Sequence, residues 1–352
     1  MSGHVCARGA LRDRLPARLR AARPSSVHLV LDRGAAPAAD APLVRVLDAS
    51  GLPWHRHVVP GGERVKTLTE VERLARRMVR AGIDRRALVL AVGGGATSDL
   101  AGLTAAIALR GVRWGVVGTT LLSAVDAALG GKTAVDLPEG KNLVGAFHAP
   151  EFVLVDPRLL SGLPAREWSS GLGEVVKTAM LAGEPLLKRL EKARPADLRR
   201  PGATLEAVLR ACMRHKAAVV ARDPREADER KLLNLGHTFG HALEAAAGPR
   251  RLRHGEAVAL GLRCALRLAD AEGVCAQGYA TRVEALLDRL GLPETVPGGM
   301  PPRARLTTLM ARDKKASDGR LDLILPVAPA EAVLVSGVAP REAADALRRL
   351  LD

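Results

Sequence analysis

The stretch ALVLAVGGGATSDLAGLTAAIAL, residues 87–109, decides the fold that the sequence predicts. Its 23 residues carry one charged side chain, Asp99, and are long enough to cross a membrane as a helix. Three consecutive glycines followed by Thr97, Ser98 and Asp99 interrupt the middle, which a membrane-spanning helix would tolerate badly. The apolar run over 87–92 is instead typical of a strand buried on both faces, and 101–109 predicts a packed helix after the glycine turn.

Strands and helices alternate on both sides of this stretch. Apolar runs predict strands over 27–32, 87–92, 114–118 and 152–156, and helical periodicity predicts helices over 67–81, 101–109 and 119–129. The helix over 67–81 opens with Thr67 and has Glu70 three residues later, as in a capping box. Such alternation predicts a parallel sheet with right-handed crossovers, and hence a Rossmann-like α/β domain.

The pattern changes after Pro164. Helical periodicity dominates five ranges, namely 167–181, 205–221, 230–247, 256–272 and 279–290. Asp318-Gly319 then signals a short hairpin that leads into LDLILP. We therefore predict an α/β domain over 1–164 and a mainly α-helical domain over 165–352.

Composition limits the partners and the compartment. The chain of 352 residues has a net charge of +15, but no run of five or six basic residues, and only 2% of its residues are aromatic. Base-stacking surfaces for nucleic acid are therefore not expected, whereas a small anionic substrate would profit from the positive field. The four cysteines stand far apart, and the N-terminus lacks the apolar core of a secretory signal. These features favour a reducing, cytoplasmic setting with no membrane attachment.

Three short motifs each allow two interpretations. Glycines in AVGGGATSDLAG, between a predicted strand and helix, suit either phosphate binding or a tight turn, and Ser98 stands where the dinucleotide fingerprint has its third glycine. ALGGKTAVDLPEGKN holds two glycine-lysine pairs, which suit a phosphate or an exposed loop. Glu174 and Lys177 share one helical face, as a functional pair or an ordinary ion pair would.

The histidines give a stronger signal. LLNLGHTFGHALEAAAGPRRLRHGEAVAL, residues 232–260, holds three of the nine histidines in the chain. His237 and His241 are four residues apart, so they would share one face of a helix and could bind a metal together. Thr238 stands where a zinc-protease helix has its glutamate. Spacing alone therefore selects His237 and His241 as the ligand pair.

Eight motifs in one order resemble the 3-dehydroquinate synthase family of sugar phosphate cyclases. They run from about Pro60 to the end of the chain and read GGERVK, VGGGATSDLAG, ALRG, TTLLSAVDAALGGKTAVDLPEGKN, GLGEVVK, ERKLLNLGHTFGHALEA, HGEAVALG and RDKK. The resemblance implies a dehydroquinate synthase-like fold, with NAD bound by the first domain and metal and substrate by the second. It also implies a homodimer.

The reaction that the resemblance implies starts from 3-deoxy-D-arabino-heptulosonate 7-phosphate. NAD transiently oxidises one hydroxyl, phosphate is eliminated, the ketone is reduced again, and an intramolecular aldol step closes the carbocycle. The family binds zinc or cobalt through residues that match Glu174, His237 and His254 here. The second histidine ligand that the match implies is therefore His254, seventeen residues beyond His237, and not His241. The match places His241 in the substrate pocket.

The resemblance assigns further roles. Ring hydroxyls would be held by Asp126, Lys177 and Asn234, and the substrate carboxylate by Lys216 and Arg230. The phosphate would be held by Lys132, Asn142, His241 and Lys314, and Arg110 would reach across the dimer interface. The residues that match NAD contacts are Asp32, Glu63, Lys66, Gly94, Gly95, Asp99, Thr119, Thr120, Lys132 and Lys141.

The chain also departs from the family pattern, and other functions stay open. Ser98 replaces a glycine, Ala127 and Ala128 replace serines, and Gly173 replaces an alanine. Lys216 and Arg230 favour a substrate with a carboxylate over sedoheptulose 7-phosphate or glucose 6-phosphate, but they do not exclude the amino analogue used by amino-dehydroquinate synthases. A metal-dependent polyol dehydrogenase and a polyanion-binding protein are the more distant alternatives; the lysines of GGKT, GKN and RDKK speak against the first.

Overall fold

The computed structural model describes residues 3–248, 250–311 and 319–351. Two predicted features, the phosphate ligand Lys314 and the turn residue Asp318, lie outside these ranges. The chain divides into two compact units. Unit 1 comprises Met1–Leu163 and Asp197–Ala217, and unit 2 comprises Pro164–Ala196 and Ala218–Asp352.

Unit 1 alternates strands and helices along most of its length. Its elements are β1 (His4–Cys6), α1 (Ala10–Ala22), β2 (Val27–Asp32), α2 (Ala36–Ala49), β3 (Trp54–Val59), α3 (Leu68–Arg80), β4 (Leu88–Gly93), α4 (Gly95–Ile107), β5 (Arg113–Gly118), β6 (Lys132–Leu137), β7 (Gly140–Phe147) and β8 (Val153–Val155).

Unit 2 is mainly helical. The elements that follow β8 are α5 (Ala165–Ala182), α6 (Glu184–Lys192), α7 (Ala203–Arg222), α8 (His237–Ala247), α9 (His254–Ala271), α10 (Tyr279–Arg289), α11 (Arg303–Ala311), β9 (Leu321–Ala328), β10 (Glu331–Val338) and α12 (Pro340–Leu351). The part of α7 up to Ala217 belongs to unit 1. The prediction of a parallel-sheet α/β part and a mainly helical part is confirmed.

A six-stranded sheet forms the centre of unit 1, in the order β1-β8-β5-β4-β2-β3. Every pairing in it is parallel. One face packs on α1 and α2, where Leu29 of β2 and Leu90 of β4 join the core with Leu15 and Leu43. Because side chains alternate along a strand, Val89 faces the other way, as does its neighbour Trp114, which contacts Gly102 of α4. The sheet is therefore covered by helices on both faces, which explains why all six residues of β4 are buried.

The stretch over 87–109 is a strand, a turn and a helix, as predicted. The helix α4 begins at Gly95, six residues earlier than its apolar periodicity indicates, because the glycine turn is only one residue long. None of the helices in the described ranges combines the length and apolarity needed to cross a membrane.

The single helix predicted over 230–247 is wrong. A 3₁₀ turn over Glu229–Asn234 ends before Gly236, and α8 begins at His237. Gly236 has φ 76°, and a Cβ on it would lie 2.9 Å from the backbone nitrogen of Leu262. The left-handed conformation and the close contact both require glycine there, and they break the helix.

The motif ALGGKTAVDLPEGKN is a hairpin and not a loop. Strands β6 and β7 pair antiparallel, with Lys132 opposite Phe147. A Cβ on Gly145 would lie 2.2 Å from the Thr133 carbonyl oxygen, so this pairing depends on glycine. A second hairpin joins β9 and β10. It turns between Ala328 and Glu331, beyond the predicted Asp318-Gly319 turn, of which only Gly319 is described.

Candidate active site

The carboxyl ends of β2 and β4 form a crevice in unit 1. The chain leaves β2 through α2 toward the edge strand β3, whereas it leaves β4 through α4 toward β5 on the other side. The two connections diverge, and open α/β sheets bind ligands at such a point. Asp32 ends β2, and Gly93 and Gly94 connect β4 to α4.

Close packing around Asp32 explains the glycines. A Cβ on Gly93 would lie 2.8 Å from the Asp32 Cβ, and a Cβ on Gly61 would lie 2.2 Å from its Oδ1. The Asp32 carboxylate accepts hydrogen bonds from the Gly34 N–H and the Thr97 hydroxyl, both at 2.8 Å. The crevice therefore holds a fixed carboxylate beside the partly buried Gly94 and Gly95 at the start of α4, which suits a ribose and a pyrophosphate.

Three further residues that were predicted to contact NAD, Gly95, Thr119 and Thr120, lie beside the turn between β4 and α4. The Thr119 N–H donates to the Gly93 carbonyl at 3.0 Å, which places β5 and its following residues beside the turn. A Cβ on Gly94 would lie 3.0 Å from Thr120 Cγ2, and one on Gly95 would lie 2.9 Å from the Ala127 Cβ. The structure thus brings the predicted residues Gly94, Gly95, Thr119 and Thr120 together.

A buried lysine ties α4 to the hairpin of β6 and β7. The Lys66 Nζ lies 2.7 Å from the Asp99 carboxylate and donates a hydrogen bond to the Asn142 side-chain oxygen. Burial alone would lower the pKa of Lys66, but Asp99 and the nearby carboxylates Glu63 and Asp136 raise it above its ordinary value. Burial raises the pKa of Asp99 to about 6 even beside this cation. Lys66 therefore stays charged and fixes the first turn of α4.

Four other predicted charged residues of unit 1 lie at the surface. Lys141 is 3.9 Å from Glu63, and both are exposed. Lys132 is the exposed first residue of β6. Arg110 is also exposed and follows α4 with φ 67°. These side chains are placed to meet a ligand or a partner chain without being buried in the fold.

Asp126 and Lys216 form a pair within unit 1. Asp126 lies in a π-helical turn over Ser123–Ala127, a form that is frequent at functional sites. The Lys216 Nζ lies 2.5 Å from Asp126 Oδ1 and donates to the Asp126 carbonyl oxygen at 2.7 Å. The residues predicted to hold a ring hydroxyl and the substrate carboxylate are therefore adjacent.

In unit 2, Glu174, His237 and His254 converge. The Nε2 atoms of His237 and His254 lie 3.4 and 3.2 Å from Glu174 Oε1, and one ligand atom from each residue lies within 4.8 Å of the others. Glu174 is fully buried in α5, whereas the histidines are the first residues of α8 and α9. A carboxylate and two imidazoles in this arrangement can hold a divalent ion with a position left for substrate.

Tight helix packing produces this convergence. A Cβ on Gly173 would lie 2.0 Å from the Gly255 carbonyl oxygen, and a Cβ on Gly255 would lie 1.6 Å from the Ser170 carbonyl oxygen. The start of α9 therefore contacts the backbone of α5 directly. Gly173, which departs from the family's alanine, is required by this contact in the present chain.

Each of the two histidines is oriented by an acceptor behind it. His237 Nδ1 donates to the Leu235 carbonyl at 3.2 Å, and His254 Nδ1 lies 3.1 Å from Glu244 Oε2. Metal-binding histidines are held in this way, which fixes the tautomer and leaves the Nε2 lone pair for the ion. Burial alone would lower the pKa of His254, but its hydrogen bonds to Glu174 and Glu244 raise it to about 10. The potential at this point is negative and favours a cation.

Lys177 and His241 lie beside the cluster. The Lys177 Nζ is 2.5 Å from Glu174 Oε2, and both side chains are buried. The ring centroid of His241 lies 5.1 Å from the ring centroid of His237 and 5.8 Å from that of His254. His241 is therefore adjacent to the cluster, but it is not part of the group whose ligand atoms converge.

Two acidic residues of this region were not predicted to have a role. Glu244 is one, and Glu226 is the other: its carboxylate accepts a hydrogen bond from the Asn234 side chain at 2.7 Å, and its φ of 61° is unusual for glutamate. Arg230, four residues after Glu226, is buried and donates a hydrogen bond to the Pro224 carbonyl at 2.7 Å. The only sequence signal for Glu226 is an acid eight residues before Asn234, which no spacing rule selects.

Comparison with known proteins identifies the family. Family models described as 3-dehydroquinate synthase N-terminal and C-terminal match residues 56–170 and 171–316. A 3-dehydroquinate synthase of Symbiobacterium thermophilum is 45% identical over 325 residues, which cover 91% of this chain and 90% of that protein.

Solved structures give the same result for the fold. The 2-epi-5-epi-valiolone synthase ValA of Streptomyces hygroscopicus, with NAD⁺ and Zn²⁺ bound, has a TM-score of 0.86 at 30% identity and covers 99% of this chain and 96% of that one. A 2-deoxy-scyllo-inosose synthase in complex with carbaglucose-6-phosphate, NAD⁺ and Co²⁺ has a TM-score of 0.88 at 27% identity, with the same coverage. The predicted fold class, similar to that of these cyclases, is confirmed.

Proposed function

The chain belongs to the 3-dehydroquinate synthase family, and on that basis we propose that it converts 3-deoxy-D-arabino-heptulosonate 7-phosphate to 3-dehydroquinate and phosphate. The reaction combines a transient oxidation, elimination of phosphate, reduction and an intramolecular aldol closure. It serves the shikimate pathway and so the synthesis of aromatic amino acids. The observation that carries the proposal is the convergence of Glu174, His237 and His254.

The donor set fits a zinc or cobalt ion. One carboxylate and two imidazoles are a common ligand set for catalytic zinc, and the hydrogen bonds at both Nδ1 atoms turn both Nε2 atoms toward the Glu174 carboxylate. When bound, the ion would polarise a substrate hydroxyl as a Lewis acid. Glu174, His237 and His254 would hold it, and Glu244 would keep His254 in the required orientation. The solved relatives carry Zn²⁺ and Co²⁺, which supports both metals.

We assign NAD to the crevice of unit 1. When bound, NAD would accept a hydride and return it within one turnover. Asp32 would bind a ribose hydroxyl, and the backbone around Gly94 and Gly95 would accommodate the pyrophosphate at the N-terminus of α4. Lys66 and Asp99 would fix that turn. Glu63, Thr119, Thr120, Lys132 and Lys141 complete the proposed set.

The substrate would be held mainly by charge and hydrogen bonds. We propose Lys216 and Arg230 for the carboxylate, Asp126, Lys177 and Asn234 for hydroxyls, and Lys132, Asn142, His241 and Lys314 for the phosphate. Lys216 and Lys177 already contact Asp126 and Glu174, so little side-chain reorganisation is needed. Glu226 would orient Asn234 through the hydrogen bond between them. Because the substrate phosphate can itself carry protons, no single protein base is required.

We also propose that two copies of the chain associate. Ile107 and Leu109 expose 55% and 39% of their surface immediately before Arg110, and apolar side chains that are exposed together can mark an interaction surface. Leu109 and Arg110 both have positive φ and are followed by Gly111 with φ 121°. An interface there would bury the apolar side chains and would let Arg110 reach the partner.

We propose a cytoplasmic location because cysteines of the chain are thiols and are not paired in disulfides. Cys6 and Cys264 are free and buried, and Cys275 is free and partly buried. A reducing compartment keeps cysteines in this state.

A substrate panel tests the proposed function. Purified protein with NAD would be offered the keto acid phosphate, its amino analogue, sedoheptulose 7-phosphate and glucose 6-phosphate, with and without a metal chelator. We expect phosphate release from the keto acid phosphate, and its loss with chelator. Release from the amino analogue alone would move the assignment to an amino-dehydroquinate synthase, and release only from a sugar without a carboxylate would contradict the proposal.

Substitution of Glu244 tests the orientation of His254. Glu244→Gln keeps the shape of the side chain but removes the negative charge beside His254 Nδ1. We expect the affinity for zinc to fall by about 10- to 100-fold, because outer partners of metal-bound histidines contribute about that much. Competition with a zinc-binding dye measures the affinity directly. An unchanged affinity would show that Glu244 does not orient His254.

A further inference from the structure

A groove crosses the face of unit 1 that α1 and α2 cover. Its volume is about 1110 Å³, slightly above the range of roughly 300–1,000 Å³ for pockets that hold small ligands. The floor is apolar and includes Leu11, Leu19, Val46 and Leu159, all of which belong to the core on this face of the sheet. The groove shares no residue with the proposed NAD, metal and substrate sites.

Two prolines inside helices border the groove. Pro16 lies within α1 and Pro42 within α2, and both line the groove. A proline has no N–H to donate to the carbonyl four residues earlier, so the carbonyls of Arg12 and Ala38 lose their usual helical partners. Arg12 and Ala38 also line the groove. Both helices therefore give up backbone hydrogen bonds at the place where they face it.

The rim of the groove is strongly basic. Six exposed arginines line it, namely Arg12, Arg20, Arg23, Arg45, Arg86 and Arg158. Of these, only Arg12 has an ion pair with a carboxylate in the described ranges, at 2.6 Å from Asp13. The other five guanidinium groups are therefore available to a ligand.

The one acidic side chain in the lining does not offset this charge. Asp156 is buried, and its carboxylate accepts hydrogen bonds from the N–H groups of Gly9, Leu11 and Arg158 at 3.1, 3.3 and 3.1 Å. Its negative charge is thus directed at the start of α1. An apolar floor below unpaired guanidinium groups matches a molecule that has an apolar body and an anionic group.

We propose that this groove binds a small organic anion with an apolar ring, at a site separate from the catalytic one. The ring lies on the leucine and proline floor, and the carboxylate, sulfonate or phosphate of the ligand pairs with the arginines at the rim. Arg20 of α1 and Arg45 of α2 border the groove from its two helices. The groove volume favours a small molecule over a helical peptide.

Anilinonaphthalene sulfonate is a suitable probe, because it combines fused aromatic rings with one sulfonate and fluoresces when bound. The chain saturated with NAD and zinc should bind one equivalent. The double substitution Arg20→Glu/Arg45→Glu should weaken binding by more than about 10-fold, since each change replaces an attractive charge at the rim by a repulsive one. The matched control is Arg14→Glu/Arg305→Glu, which makes the same charge change at exposed arginines outside the groove, and it should bind like the unmodified chain.

A groove-filling variant separates shape from charge. Ala38 is exposed and lines the groove, so Ala38→Trp should occupy the floor and weaken binding while circular dichroism and phosphate release stay unchanged. Equal affinity in all variants, or no saturable binding by the chain with NAD and zinc, would overturn the proposal. Binding of an acidic amphipathic peptide at Arg20 and Arg45, in place of the probe, would also overturn the proposal. Fluorescence reports this site whatever reaction the chain catalyses.

Discussion

Glu174→Ala should lose metal and phosphate release together. Glu174 supplies the only carboxylate among the converging ligand atoms, and both histidine Nε2 atoms lie within 3.4 Å of its Oε1. Its loss should lower zinc affinity by more than about 100-fold, the upper end of what loss of an outer partner costs. Metal content by mass spectrometry and phosphate release would be measured on the same preparation.

Two further variants make the Glu174 result interpretable. Glu174→Gln keeps the volume of the buried side chain, so the variant tests charge if Glu174→Ala folds poorly. Glu294→Ala removes an exposed glutamate of unit 2 and should leave both metal and activity unchanged. A Glu174 variant that is fully active and contains a full equivalent of metal would show that the ligands have been assigned incorrectly.

Lys177→Met should destabilise the metal-free chain far more than the zinc-bound chain. Lys177 and Glu174 are both buried, with 2.5 Å between Nζ and Oε2. Removing Lys177 takes away the closer of two cations beside Glu174 and leaves His254 as the other, so we expect a loss of about 3 kcal/mol of unfolding free energy, the lower end for breaking a buried ion pair. In the variant, zinc restores a positive charge next to Glu174. The ion also no longer competes with Lys177 for the Glu174 carboxylate. The loss of stability should therefore shrink when zinc is added.

Lys188→Met is the matched control for Lys177. Lys188 lies 3.5 Å from Glu184 on α6, and both are well exposed. Loss of such a surface pair should cost less than about 1 kcal/mol, with or without zinc. Urea unfolding of the three proteins, each with and without zinc, gives the comparison. A Lys177→Met loss that is small, or that zinc does not reduce, would contradict the assigned position of the ion.

Sequence patterns predicted the strands and helices that depend on residues adjacent in the chain. The apolar run of β4 and the Thr67 cap of α3 follow from residues next to each other in the chain, and both occur as predicted. The hairpin of β6 and β7 was missed, because its glycines and lysines were interpreted as either a phosphate site or an exposed loop. What fixes it is the contact between Gly145 and Thr133 across the pair, which no local pattern contains.

The metal cluster shows the same limit more sharply. Spacing selected His237 and His241 on the assumption that one helix carries both on a continuous face. In the structure α8 starts at His237, and the other converging atoms come from the middle of α5 and the start of α9. Glycine-mediated packing of α9 on α5 brings them together, and Gly173 and Gly255 show this only once their neighbours are known. Family resemblance supplied Glu174 and His254, whereas spacing did not.

The most direct test follows phosphate and NADH in one reaction. The chain, loaded with zinc and NAD, would be mixed with 3-deoxy-D-arabino-heptulosonate 7-phosphate while free phosphate and NADH absorbance are recorded together. A cyclase returns its hydride, so we predict one phosphate for each substrate consumed and no net NADH. Accumulation of NADH in proportion to substrate, without release of phosphate, would identify a dehydrogenase instead and would contradict the proposed function.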